Sequence, residues 1–389
     1  MMDVALVSSA WHVISATVTV LLGAVIVYQL SKVFHIRSRV ALGLYAWHSL
    51  FALAYIYISL TIGADSIGYF EASRNIYELF RPGTLAVTYF TGFFSTTLGM
   101  SYLGVFAVFN IIGTVGLIAF AGALAEVEPH LAKWSQRWLP LLLFLPGASF
   151  WSAAISKDAF SFLAAGLAVW GVLRPSSRWP AMLLAVAALL LVRPHIAVVM
   201  MVALAGALIF GLRSAVIIRV ILGFLAAAVG AFMLQFALEY VGLENASGTA
   251  DFVDYVEQRQ NANTEGGSSV DLVGMSVPVR LFTYLFRPLF VDAGNVLGLA
   301  SSVENLVLLL IVAIAVFSIF GRKRSVLPNF AWVATLLFSL LTWGVLANTT
   351  ANLGIATRQK WMFVPLLLVW LLSYLRPPKG ETSPSSNIR

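Results

Sequence analysis

Two aspartates stand where a carboxylate could take a proton. Asp65 lies in "GADSIGYFEASRNIYELFRPG", directly after a long apolar run, and Asp158 lies in "FWSAAISKDAF", beside Lys157. A carboxylate accepts a proton from a hydroxyl more readily when desolvation at a membrane edge raises its basicity, and less readily when an arginine stands close. Asp65 has a second reading, as the N-cap of a helix running through Tyr69, Ile76 and Leu79, and both readings stay open at this level. Several cations stand at the edges of apolar stretches, on the face where lysine and arginine are otherwise sparse. They are Arg74, Lys157, Arg193 with His195 in "LLLVRPHIAVV", Arg280 and Arg287 in "PVRLFTYLFRPLF", and Arg358 and Lys360 in "NLGIATRQKWMFVP". Arg280 and Arg287 fall on one face if their segment is helical. A guanidinium presents a fork of donors that matches phosphate oxygens, and lysine presents a point charge, so the set suits a phosphate at an apolar boundary. Snorkelling and ion pairing within the protein are the competing use of each cation. Glu71 with Arg74, and Arg74 with Glu78, have the spacing of pairs that steady a helix surface. Tyr69, Trp151 and Tyr284 are the aromatic candidates to stack on a sugar.

The elements that must position these residues are membrane helices. The chain of 389 residues is 60% hydrophobic and 11% charged, with a mean hydropathy of +0.90. Its apolar runs are too long for the alternating segments of a β-barrel and long enough for helices of about 20 residues. The expectation is an all-α polytopic membrane protein of about 11 transmembrane helices. Spans are expected near 10–31, 40–62, 101–125, 138–156, 159–173, 179–192, 196–212, 215–240, 300–320, 329–347 and 361–375. The shorter stretches 84–99 and 281–298, interrupted by Gly, Pro or polar residues, read as surface-lying or re-entrant segments. The first span lacks a basic leader and reads as retained, not cleaved. One transmembrane domain is expected over 1–376, with a short disordered tail at 377–389.

Orientation follows from lysine and arginine, which gather on cytoplasmic loops. Fifteen of the 24 fall on one face of this layout, which puts the N-terminus outside and the C-terminus in the cytoplasm. The net charge of +7 is thereby accounted for without a nucleic-acid partner. Of the 17 acidic residues, only Glu126, Glu128 and Glu381 fall on the cytoplasmic face, so the outer loops, 63–100 and 241–299, are where chemistry is expected. The stretch "NANTEGGSS" at 261–269 reads as a lid or as a solvated loop. Cysteine is absent, and no histidine pair or acidic cluster has metal-ligand spacing, so no cofactor is indicated and a divalent ion is left open.

The loop "GADSIGYFEASRNIYELF" followed by "TLAVTYFTGFF" resembles the type C membrane glycosyltransferases, in which the first outer loop opens with an Asp soon after a span and continues into surface-lying helices. "LPGASFWSAAISKDAF", "LVRPH", "LFRPLF" and "NLGIATRQK" are similar to a bacterial branch of membrane proteins grouped near these enzymes. The likeness covers most of the chain in layout, and its motifs are short. It implies a transferase of the bacterial inner membrane that moves a sugar from a polyprenyl-phosphate or -pyrophosphate donor to a saccharide or lipid acceptor in the envelope, among membrane lipids. It also implies that Asp65 is the base. The family's loop follows the first span and often reads Asp-Glu or Glu-Asp, whereas here a further span precedes it and Ser66 follows the Asp, so the likeness supplies no second acid. Two other functions fit the layout. An O-antigen-type polysaccharide polymerase or ligase also uses outer-loop arginines, and Arg287 and Gly298 have a matching spacing. A lipid-linked saccharide or solute transporter would place charges near the bilayer midplane, where this chain has few.

Overall fold

A computed structural model describes residues 6–211, 269–270, 272, 274–321 and 324–377, with isolated positions between 216 and 258. Apart from those positions and Ser269, the expected span 215–240 and the loop from 241 through the expected lid at 261–269 lie outside the described residues, as does the tail from 378. Long apolar runs become long helices. α1 (Ala10–Val33) starts at Ser9, whose hydroxyl accepts the His12 N–H, and carries Lys32 in its last turn, where the helix end attracts a cation. α2 (Ser38–Ile62) stops at Gly63, whose φ of +84° would strain any residue with a Cβ. At 24 and 25 residues these helices are about 36 Å long, more than the ~30 Å of hydrocarbon they must cross. Two short helices follow, α3 (Asp65–Ala72) and α4 (Thr84–Gly92), and α4 runs into a π-helix at Phe93–Thr97.

α5 (Tyr102–Val127), α6 (Lys133–Gln136), α7 (Pro146–Ser152), α8 (Lys157–Leu173), α9 (Pro175–Val192) and α10 (Pro194–Gly211) come next. The chain then forms α11 (Val277–Phe286), α12 (Val296–Phe320), α13 (Asn329–Thr349), α14 (Leu353–Gln359) and α15 (Val364–Leu372). The one extended pairing among the described residues is an antiparallel bridge between Ser269 and Asn352.

Seven described helices are long and apolar enough to cross a membrane, or eight if α14 and α15, bent by 63°, count as one. The expected eleven are therefore not reached among the described residues, for local reasons. The segment 138–156 is a 3-10 stretch, Leu139–Phe144, followed by α7, because Pro140 and Pro146 each remove a backbone donor. α8 has 17 residues, about 25 Å, short of a hydrocarbon crossing. The last expected span, 361–375, breaks at Phe363 ahead of Pro365.

The chain divides into two compact units. The first comprises residues 1–126, 138–170 and 180–193. In it α5 lies against α7 and α8 at glycine contacts: a Cβ on Gly116 would stand 2.7 Å from the Phe162 carbonyl, so only a bare backbone fits. One buried cluster joins Tyr69 and Phe70 of α3, Val87 of α4, Tyr102, Phe106 and Phe109 of α5, Ala159 and Phe160 of α8 and Val192 of α9. α1 turns Val13, Leu21 and Val25 outward, an apolar face that suits acyl chains and not water. The second unit comprises residues 127–137, 171–179 and 194–389. There a Cβ on Gly211 would collide with the Phe330 backbone, which brings α10 close to α13. α11 is held by the Trp343 indole, which donates to the Leu281 carbonyl at 3.0 Å.

Candidate functional site

The first unit holds Asp65 on a fixed platform. Gly63 ends α2, Ala64 is extended at φ −162° and caps α3, and Asp65 is the first helical residue, so Ala64 and not Asp65 occupies the N-cap position. An acidic side chain there still meets the positive end of the helix. Next to it, the Ser66 hydroxyl bonds the Tyr102 hydroxyl at 2.8 Å, and Tyr102 in turn bonds Ser59 at 3.0 Å. This chain of three buried hydroxyls ties the end of α2, the start of α3 and the start of α5 together. Tyr69 and Phe70 sink into the cluster below, while the Asp65 carboxylate stays exposed. Tyr69 is therefore a buried anchor, not a ring open to a sugar.

α3 ends at Ala72, so the helix expected to continue through Ile76 and Leu79 does not form. The surface ladder of Glu71, Arg74 and Glu78 is lost with it. Glu78 instead pairs with Arg81 at 2.8 Å, with both side chains well exposed. The Arg74 guanidinium lies over the Phe70 ring, 5.0 Å from its centre.

Asp158 and Arg193 are a buried pair. Asp158 sits in the first turn of α8, with its N–H held by the Ser156 hydroxyl, and its carboxylate accepts from Arg193, at the end of α9, at 2.8 Å. Side-chain exposures of 6% and 10% close this pair to a substrate, so Asp158 does not stand as an open acid or base. Arg193 Nε is buried with no acceptor among the described residues. Lys157, the first residue of α8, is half-buried. The Gly83 N–H donates to the Leu191 carbonyl at 2.8 Å, which fastens the entrance of α4 to the end of α9.

The remaining candidates belong to the second unit. Arg287 follows the last residue of α11 in extended conformation, so Arg280 and Arg287 do not share a helix face. Arg280 donates to the Met275 carbonyl at 3.1 Å and to Asn348 at 3.3 Å. Arg287 grips Asp292 through two parallel bonds of 3.0 and 2.6 Å, and the Leu289 N–H adds a third to the same carboxylate. These bonds hold the Asp292 carboxyl below the usual carboxylate range and push the Arg287 guanidinium upward.

Lys360 is 0% exposed and binds Glu304 of α12 at 3.1 Å and the Asn305 amide oxygen. Asn305 in turn donates to the Pro288 carbonyl at 2.9 Å. Arg358 lies half-buried in the last turn of α14, and His195 half-buried in the first turn of α10. Tyr284 is buried against Phe363 and, like Tyr69, presents no ring to a sugar.

Three features escape the sequence reading. His48 of α2 bonds Asn110 of α5 at 2.6 Å and Ser152 of α7 at 2.9 Å, all buried, and Asn110 within an apolar helix is the signal that could have revealed it. Asn305, in "SSVENLVLLL", carries the same signal beside Glu304. A cavity of about 360 Å³ between the segment after α3 and the π-helix has no sequence signature. Among the described residues, no three His, Asp or Glu side chains gather as a metal site. Compared with protein-family models, with curated proteins and with solved structures, the chain matches none.

Proposed function

We propose that this chain is an integral membrane glycosyltransferase that uses a polyprenyl-phosphate or -pyrophosphate sugar donor, with Asp65 as the general base. Asp65 faces the extracytoplasmic side in this reading, the orientation that the excess of lysine and arginine on the opposite loops favours. The observation that carries the proposal is an exposed carboxylate on a short helix locked to the end of a membrane span. Such a group meets a substrate while its backbone stays fixed, which is what positioned proton transfer needs. In the reaction, an acceptor hydroxyl attacks the anomeric carbon and its proton passes to Asp65. The bond from that carbon to the phosphate oxygen breaks, and polyprenyl phosphate leaves with the bonding pair. Phosphate leaves without a proton, so one carboxylate suffices, unlike the paired acids of ordinary glycoside hydrolysis. Lys157, at the start of α8 on the same buried cluster as α3, is assigned the developing charge on the phosphate. Arg193, Arg287 and Lys360, each bound to a carboxylate, are assigned to holding the fold.

The test is transfer of labelled hexose from polyprenyl phosphate in vesicles carrying the purified chain and an envelope acceptor. Asp65→Asn is expected to slow turnover by roughly 10²–10⁴-fold while the unfolding midpoint stays put. Unchanged turnover contradicts the assignment.

A second reading, a transporter of lipid-linked saccharides, is favoured by one observation. Glu304, Asn305 and Lys360 are buried together beside a helix pair bent by 63°. Polar groups at a broken helix are how many transporters bind substrate or coupling ions. Movement of a labelled lipid-linked saccharide across vesicles without covalent transfer would favour it. The polymerase or ligase reading has less support, since its arginine, Arg287, is bound to Asp292.

A further inference from the structure

We infer that the cavity beside Arg74 is a binding site for the phosphate headgroup of an anionic phospholipid, a property that does not rest on the transferase reading. Its walls include Ser73, Arg74, Tyr89, Phe93, Thr96 and Thr97, and its volume of about 360 Å³ suits a headgroup. Arg74 is the one charged residue in the lining, so the cavity is electropositive. The guanidinium has no carboxylate in ion-pair range among the described residues, because the nearby Glu78 is bound to Arg81. Its contact with Phe70 is through the ring face, 5.0 Å from the centre, which steadies the side chain without neutralising it. The N–H groups in the guanidinium plane remain for phosphate oxygens, in the forked geometry that arginine offers.

The two walls are fixed relative to each other by hydrogen bonds that run between them. The Ser73 hydroxyl bonds Ser95 at 2.7 Å, the Thr96 hydroxyl donates to the Ser73 carbonyl at 3.1 Å, and the Tyr89 hydroxyl donates to the Glu78 carbonyl at 2.7 Å. Gly92 keeps the floor open, since a Cβ there would stand 3.1 Å from both the Ser73 carbonyl and the Ile76 side chain. The π-helix at Phe93–Thr97 forms one wall, and such helices recur at binding sites. Thr97 brings an exposed hydroxyl with no partner among the described residues, a further donor for a phosphate oxygen.

The flanking surface selects a lipid over a soluble phosphate. Leu79 is 87% exposed, and Phe80, Phe93 and Leu98 are exposed as well, an apolar fringe that acyl chains would cover.

The probe is photoactivatable phosphatidylglycerol in phosphatidylcholine vesicles carrying the full chain, with labelled peptides mapped by mass spectrometry. Labelling is expected in the 73–97 segment, to be competed by unlabelled phosphatidylglycerol, and to fall about tenfold in Arg74→Gln, equivalent to ~1.4 kcal/mol of binding. Thr97→Val is expected to lower it less, and Arg74→Lys to retain part of it. Labelling indifferent to Arg74→Gln, or competed equally by inorganic phosphate, overturns the inference.

Discussion

The segment from Asp65 to Arg74 and the locus of Glu304 and Lys360 look alike as strings, each a few charged residues bordering apolar helices, and their fates are opposite. In the first, the carboxylate and the guanidinium are both exposed, and the backbone between them is pinned by buried Ser66, Tyr69 and Phe70. In the second, the ammonium and the carboxylate are buried against each other. A charge taken out of water loses several kcal/mol of hydration, which only a close partner offsets, so the buried pair must stay together. An exposed charge has no such obligation, because water already solvates it. The difference separates residues that hold this protein together from residues that can act on something else.

Breaking the buried pair should have the largest effect on stability. Lys360→Met takes the ammonium from beside the buried Glu304 carboxylate and is expected to destabilise by about 3–5 kcal/mol, read from chemical unfolding in detergent. Adding Glu304→Gln to the same chain is expected to restore much of that loss, because the buried carboxylate charge is removed along with the ammonium. A double variant as unstable as the single one would mean that packing, not charge, is lost.

Arg287 and Asp292 form an intermediate case, partly exposed at 32% and 14%. The folded Asp292 carboxyl titrates below its unfolded value, so its stabilisation is complete above about pH 4 and is lost as the pH falls through the folded value. Arg287 is shifted upward and stays charged throughout that range, adding no neutral-pH transition. Asp292→Asn is expected to flatten the acid limb of the stability profile, and an unchanged limb would assign acid unfolding to other carboxylates. The smallest effect is expected at the exposed end of the scale, where Arg81→Ala, breaking the pair with Glu78, should change stability by less than ~0.5 kcal/mol.

The same contrast explains what could be read from the sequence. α1, α2, α5, α10, α12 and α13 were visible because each is a long apolar run, and several carry end signals such as Ser9, Gly63 and Asn295. The breaks at Pro140, Pro146 and Pro365 were not, because hydropathy is blind to a missing backbone donor. The candidate charges were legible as residues near helix ends, but their partners were not. Arg193 finds Asp158 across 35 positions, and Lys360 finds Asn305 across 55, distances that no local spacing rule spans. Where the expected pairing was local, as in Glu71, Arg74 and Glu78, it failed because α3 stops at Ala72 and the spacing lost its helix.

The most direct test compares hexose transfer from polyprenyl phosphate by two variants in the same vesicles, Asp65→Asn and the double variant Glu304→Gln with Lys360→Met. Transfer lost in the first and kept in the second is the result predicted if the exposed carboxylate does the chemistry and the buried pair only holds the helices. Transfer kept without the Asp65 carboxylate and lost with the buried pair would contradict it.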